Sequence, residues 1–444
     1  MKPICKANQT IEKLLGPQIE DPAKTYRTAN HCLAVKCEDG TLLFHTLTGM
    51  LLLMEPDEDE QMNRTFLLRN WFLVPDTFDE QKQTKDLRAL LQTIQVKPNQ
   101  ITGFTILTTT DCNARCFYCY ELGRKRTNMD EETARDVAAY IIRVANGEQV
   151  KIQWFGGEPL TNRRAIEIIC EKLRESGVGF ESSMVTNGYE LDAKTAACAR
   201  QDWNLKSIQV TLDGMEETYR RTKAYVDRPQ SPLTVVLDHI DSALQEGIEV
   251  SIRLNIDANN ASEMEQLIEL LHCRFGGRSN LTVYCALLRA FTGKISAFAS
   301  EQAAAEKVLE LFQKLERYGF TKHKPIRTEL KTSACMADND SHEVIVPDGR
   351  IGKCEHYSET ELVGSIYSSQ KDRKQIQAWK EPVGTRKSCK NCPLYPRCYQ
   401  LVKCDWTTVD CSESSRILHH AQLERQLLDA YENYKQEKQS EKRA

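Results

Sequence analysis

Cys112, Cys116 and Cys119 stand in the run Asp-Cys-Asn-Ala-Arg-Cys-Phe-Tyr-Cys-Tyr at 111–120. Three thiolates at C-x3-C-x2-C spacing on one tight loop suit three irons of a [4Fe–4S] cube. A cube that only carries electrons normally takes four cysteines. Three leave one iron open to another ligand, the mark of a reactive centre. Zinc is the competing reading, but zinc prefers four closed ligands, often as two C-x2-C pairs, and no second pair lies near this loop. Phe117 and Tyr118, between the last two cysteines, are placed to shield such a group from water.

The loop follows an apolar run, Ile101–Leu107. Four further apolar runs, Val150–Phe155, Met184–Thr186, Ser207–Leu212 and Val250–Asn255, end in polar residues and alternate with helical stretches. This pattern predicts a parallel α/β barrel with its chemistry at the strand C-termini. After the second run comes Gly156-Gly157-Glu158-Pro159, where two glycines permit close backbone approach of a ligand and Glu158 can accept from an ammonium. Asp130-Glu131-Glu132 marks one helix start.

With these residues the chain resembles the radical S-adenosylmethionine (SAM) superfamily over roughly residues 100–290. The resemblance implies a partial (β/α)6 barrel whose last strand lies near Leu281–Leu287. It implies a SAM-binding cluster on Cys112, Cys116 and Cys119, whose chemistry is reductive cleavage of SAM to a 5′-deoxyadenosyl radical. It places SAM against Tyr118, Gly156, Gly157, Glu158, Pro159, Thr186, Asn187, Arg253 and Asn255. Arg253 is suited to the methionine carboxylate because a guanidinium forks onto one.

A second constellation comprises Cys335, Cys354, Cys389, Cys392, Cys398, Cys404 and Cys411, seven cysteines in 77 residues. With no signal peptide ahead of it, metal binding is a better reading than an extracellular disulfide module. A pair of zinc ribbons is the alternative. The pattern is similar to the SPASM domain, which holds two auxiliary [4Fe–4S] clusters. That resemblance assigns Cys335, Cys354 and Cys404 to the first and Cys389, Cys392, Cys398 and Cys411 to the second. Five residues separate Cys398 from Cys404 where the family usually has three. Three cysteines leave the first auxiliary cluster an iron open to a non-cysteine ligand or a substrate thiolate.

The chain has 444 residues, 41% of them hydrophobic, and a formal charge of −4. This length suits two or three domains. The charge gives no electrostatic footprint for nucleic acid, and no apolar run reaches the roughly 20 residues of a membrane helix. The expected location is the cytoplasm. The seven cysteines outside the two constellations, including Cys170, Cys273 and Cys285, read as buried thiols.

The first hundred residues predict strands at His31–Lys36 and Thr41–Leu47 around the turn Glu38-Asp39-Gly40. A helix opening at Thr48 and running to Met54 is expected next, then an acidic break at Pro56–Gln61 and a charged helix from Asp79 to Ile94. This winged-helix-like α+β unit is similar to leader-peptide recognition domains. Ala303–Tyr318 predicts a bridging helix. Ser415–Tyr434 predicts an exposed amphipathic helix ahead of a frayed tail, Lys435–Ala444. Tyr219 and Arg220 read as a solvated helix start.

The expected organisation is therefore a leader-recognition-like domain (1–98), the radical SAM barrel (99–300), a helical bridge (301–334), a SPASM domain (335–412), and a C-terminal helix and tail (413–444). The resemblance implies a maturase that modifies a ribosomally synthesised precursor peptide carrying a leader, by a cross-link such as a thioether. It implies a flavodoxin- or ferredoxin-like reductant as partner, and neither nucleic acid nor membrane. An anaerobic sulfatase-type maturase forming formylglycine is the alternative. A non-catalytic iron–sulfur electron carrier is a third, and the GGEP run speaks against it.

Overall fold

The computed structural model describes residues 1–58, 63–95, 100–288, 297–321, 325–383, 389, 391–404 and 411–443. The end of the acidic break after Pro56 and the expected boundary at 98 lie outside these residues. The chain forms two compact units. The first comprises residues 1–96, 323–334 and 381–444; the second comprises 97–322 and 335–380.

The first unit begins with β1 (Lys2–Cys5), α1 (Gln9–Leu15), β2 (Tyr26–Thr28), β3 (Cys32–Cys37), β4 (Gly40–His45), β5 (Met50–Met54), α2 (Arg64–Arg69), β6 (Leu73–Pro75) and α3 (Glu80–Gln95). An antiparallel sheet runs β1-β5-β4-β3, and β2 pairs with β6. The β3–β4 hairpin and α3 match expectation. The helix expected at Thr48 does not form: Met50–Met54 is a strand inside the sheet. Leu51 and Leu53 face one apolar cluster, while Met50 and Leu52 face another with Leu67, Leu68 and Phe72. A short continuous apolar run covered on both faces has no period to separate strand from helix.

The second unit is built on β7 (Gly103–Thr109), α4 (Glu131–Ala145), β8 (Val150–Gly156), α5 (Arg163–Ser176), β9 (Phe180–Thr186), α6 (Ala193–Gln201), β10 (Leu205–Leu212), α7 (Glu216–Lys223), α8 (Pro232–Gln245), β11 (Glu249–Ile256), α9 (Met264–Phe275), β12 (Leu281–Leu287) and α10 (Glu301–Arg317). Strands β7 to β12 are parallel, each paired with its sequence neighbour. The six expected barrel strands are all present. Asp130 caps α4 by accepting from the Thr133 amide at 2.8 Å, so the acidic start lies where the helix dipole favours it. Beyond β7 the sheet continues through β13 (His342–Ile345), β14 (Arg350–Gly352) and β15 (Gly364–Ser365), followed by α11 (Arg373–Trp379). Of these, β13 runs parallel to β7.

The chain closes with α12 (Glu413–Arg443), which belongs to the first unit. The expected frayed tail is absent, because the helix continues through Lys435 to Arg443. Leu423, Leu427 and Tyr431, spaced by four, are buried on the same cluster as Leu42, Phe44, Leu51 and Leu53, so one face of α12 covers the leucine face of the N-terminal sheet. Lys435 adds an ion pair to Glu38 at 2.9 Å. No helix among the described residues is long and apolar enough to cross a membrane.

Candidate functional site

The cysteine loop is closed at its neck. Thr109 bridges to Asn128, and the Thr110 amide donates to the Thr127 carbonyl at 2.9 Å. Residues 111–126 are thereby held as one compact loop at the C-terminal end of β7. Within it the Ala114 amide donates to Cys112 Sγ at 3.3 Å. Burial, and secondarily Glu158, pushes the Cys112 thiol up to about 12, and the other two loop cysteines add to the shift. Burial also raises Cys116, to about 11, and Cys119. Three thiols close enough to feel one another are the donor set a [4Fe–4S] group needs, so the residues present fit one.

The loop rests on the end of α7. The Lys223 carbonyl accepts from the Arg115 amide at 2.8 Å and lies 3.9 Å from Cys116 Sγ. The Asn113 carbonyl accepts from the Val226 amide at 2.8 Å.

Gly156 and Gly157 pack against the cysteine loop. Gly156 has φ +123°, and a Cβ there would strike the Thr109 carbonyl oxygen; one on Gly157 would strike that of Asp111. The Gly157 amide donates to Thr109 O at 3.0 Å and the Glu158 amide to Asp111 O at 2.9 Å. The glycines therefore admit the cysteine loop's own backbone.

Glu158 is buried and accepts from Thr186 Oγ1 at 2.7 Å, the Asn187 amide at 2.7 Å and the Leu160 amide at 3.2 Å. Burial pushes its carboxyl up to about 7, against the pull of these donors. Asn187 Nδ2 donates to Asn113 Oδ1 at 2.7 Å and lies 3.9 Å from Cys112 Sγ. Glu158, Thr186 and Asn187 thus form one network with the first loop cysteine. Pro159 opens the short 3-10 turn that Glu158 caps.

Across the barrel mouth, Arg253 Nε donates to Asn255 Oδ1 at 2.9 Å. Among the described residues no carboxylate pairs with Arg253. Asn255 Nδ2 donates to Asp213 Oδ1 at 3.0 Å and to the Tyr118 hydroxyl at 3.2 Å. Tyr118 in turn donates to Asp213 at 2.9 Å. Tyr118 therefore ties the loop into the barrel instead of only covering it. Burial, then Asp213, raises its phenol well above the usual range.

Lys223 and Asn260 are functional candidates that the sequence reading passed over. Lys223 is 1% exposed and donates to Thr211 Oγ1 at 2.6 Å and the Tyr118 hydroxyl at 3.3 Å, beside the Asp213 carboxylate. Burial opposes its charge, but Asp213, Tyr118 and Cys116 outweigh burial and hold its pKa above the ordinary value. Asn260 Nδ2 donates to the carbonyls of Asp213 and Asn255, joining two strand ends. Tyr219, expected at a solvated helix start, is fully buried, with its hydroxyl 3.3 Å from that of Tyr225. The only available signal for Lys223 was its place ten residues after Asp213.

In the first unit, Cys392 lies near Cys389 and Cys411, and Cys398 near Cys411 and Cys389. A cavity of about 340 Å³ opens onto Cys389, Cys398 and Cys411. Cys404 belongs to this unit, while Cys335 and Cys354 belong to the second. Among the described residues no three His, Cys, Asp or Glu side chains converge tightly enough for a single metal ion. A cube is larger than an ion, and its ligands stand further apart. Of the cysteines outside both constellations, Cys170 is buried, Cys5, Cys32, Cys37, Cys198 and Cys285 are partly buried and Cys273 is exposed, so the expectation of buried thiols holds fully at Cys170 alone and fails at Cys273.

Residues 106–271 match the radical SAM superfamily, whose members bind SAM and a [4Fe–4S] cluster. The chain is 29% identical to a probable GTP 3′,8-cyclase of Methanocella arvoryzae, over 38% of this chain and 53% of that protein. It covers about half or less of the length of the first curated relatives it matches. Solved structures that share its fold include the following two. anSMEcpe with bound AdoMet is 14% identical, with a TM-score of 0.57 over 74% of this chain and 96% of that one. Streptococcus suis SuiB bound to precursor peptide SuiA is 11% identical, with a TM-score of 0.54 over 88% of this chain and 98% of that one.

Proposed function

From the radical SAM domain at residues 106–271, we propose that the chain is a SAM-dependent maturase of a ribosomally synthesised precursor peptide. Cys112, Cys116 and Cys119 would hold the SAM-binding cluster, which, reduced by an external electron donor, would supply the electron for cleaving bound SAM to methionine and the 5′-deoxyadenosyl radical that takes hydrogen from the substrate. The carrying observation is the join between Cys112 and the Glu158–Thr186–Asn187 network across three strand ends. This network offers carboxylate, hydroxyl and amide groups to the amino end of SAM. Arg253, without a carboxylate partner among the described residues, offers its fork to the methionine carboxylate. The barrel mouth positions a substrate carbon and excludes water. Cys389, Cys392, Cys398 and Cys411 would hold one auxiliary cluster, and Cys335 and Cys354 would contribute to a second.

The N-terminal α+β segment supports a peptide with a leader, as does fold likeness to SuiB over 88% of the chain. Formylglycine formation on a protein substrate is the second reading, favoured by the likeness to anSMEcpe. A flavodoxin- or ferredoxin-like protein is the expected electron donor.

The test replaces Cys112, Cys116 and Cys119 together by Ala. One cluster's iron should be lost, 5′-deoxyadenosine formation should cease, and the auxiliary clusters should remain. Iron at the unsubstituted level, or continued 5′-deoxyadenosine, overturns the assignment. Co-expression with candidate precursor peptides, read by mass spectrometry, separates the two substrate readings.

A further inference from the structure

Arg88 of α3 is buried, 7% exposed, in the first unit. Its Nη2 donates to the carbonyls of Tyr395 at 2.7 Å, Pro396 at 2.9 Å and Cys398 at 2.7 Å, and its Nε to that of Lys331 at 3.0 Å. The guanidinium lies 5.1 Å from the Tyr395 ring centre and 5.3 Å from that of Tyr399. Carbonyl dipoles and ring faces soften the cost of burying it, but among the described residues no carboxylate neutralises it.

A guanidinium cannot escape by losing its proton, and a buried charge without a counter-charge is expensive. The cavity that Arg88 lines is also lined by Cys389, Cys398 and Cys411. A cube ligated by four thiolates is a net anion. The anion that Arg88 lacks among the described residues is a group these cysteines are suited to hold.

We propose that Arg88 is the counter-cation of the auxiliary cluster on Cys389, Cys392, Cys398 and Cys411, and that through it the N-terminal segment sets that cluster's reduction potential. A fixed positive charge favours the reduced, more negative cube and raises its potential, since net charge and hydrogen bonding tune such clusters. Arg88 is also a positioning residue: one side chain gathers three carbonyls of the 395–398 turn and fixes the orientation of the Cys398 loop. The inference rests on the reading of these four cysteines as cluster ligands.

The test uses the full, reconstituted chain. Iron content is measured beside an EPR-monitored redox titration in Arg88→Gln, Arg88→Lys and Gln92→Glu. Gln92 lines the same cavity, so Gln92→Glu adds a negative charge there without removing Arg88. Arg88→Gln and Gln92→Glu should each shift one auxiliary midpoint to lower potential, or lose that one cluster's iron. The SAM-binding cluster's spectrum should not change, and Arg88→Lys should recover much of the shift. Midpoints and iron content unchanged in both charge variants overturn the proposal. The ligand reading is tested separately by Cys389→Ala with Cys411→Ala: retained iron there sinks that reading, whatever Arg88 does.

Discussion

The Lys223 ammonium lies 3.0 Å from the Asp213 carboxylate, and both side chains are closed off from solvent. A buried pair of this kind is costly to break from one side, because the remaining charge has nowhere to go. It connects the end of β10 to the turn on which the cysteine loop rests.

Lys223→Met should destabilise the chain by about 3–5 kcal/mol. Lys223→Met combined with Asp213→Leu should recover part of that loss. Thermal unfolding of the metal-free chain reads both. A single variant as stable as the parent would show that the pair contributes little.

Gly156→Ala and Gly157→Ala should each cost at least ~2 kcal/mol, because the added methyl meets backbone oxygen and, at Gly156, an unfavourable φ. Gly147→Ala, where φ is +84° but nothing lies within 4 Å, should cost only about 1 kcal/mol. Equal losses at all three sites would contradict the close-approach account. So would loss of cluster iron in the Gly147 variant alone.

Glu158→Gln should weaken SAM binding roughly 10–100-fold, since removing charge from one partner of a buried network costs about 1–3 kcal/mol. Isothermal titration of SAM into the reconstituted chain measures this. Unchanged affinity would remove Glu158 from the SAM site.

His31 and His45 are buried and held down at about 3, mainly by burial; Arg88 and Arg27 add to the shift at His31, and His31 adds to that at His45. Glu80, 3.7 Å from His31, is the facing acid. The unfolded chain takes up these protons near 6.5, the folded chain only near 3. The stability that neutral histidines contribute is therefore complete above about 6.5 and declines as pH falls toward 3, by roughly 1.4 kcal/mol per pH unit per histidine. Hydrogen exchange in β3, β4 and β5 of the metal-free chain, compared at pH 7 and 5, should show this loss. The double variant His31→Gln/His45→Gln should show a flatter response, and an identical one would exclude the histidines as its source.

Deleting residues 1–95 removes Arg88 and uncovers Leu423, Leu427 and Tyr431. The truncated chain should lose auxiliary iron as well as affinity for a leader-bearing peptide. Full iron content in a soluble truncation would show that the N-terminal segment is an independent module.

Five barrel strands were legible as apolar runs leading into polar residues, with the cysteine loop and GGEP marking two strand ends, while the sixth, near Leu281–Leu287, came from the resemblance. Met50–Met54 was illegible as a strand because five consecutive apolar residues carry no period. Lys223 follows Arg220 and Arg221 in a polar run, and lysine is seldom buried, so its place ten residues after Asp213 was the only hint of the pair. The glycines were recognised as points of close approach, but sequence alone does not say that the approaching group is the chain's own backbone. Arg88 could not be found at all: its partners are carbonyls some 300 residues away, which leave no trace in side-chain spacing.

The covering of the N-terminal leucine sheet by α12 sets a timetable for synthesis. Leu51 and Leu53 emerge from the ribosome hundreds of residues before Leu423 and Leu427, a wait of ~20–70 s at the usual elongation rate of about 5–20 residues per second. For that interval the strands have no C-terminal helix to bury them, and the 389–411 cysteines do not yet exist. The nascent sheet is a natural client for a holding chaperone until that helix arrives.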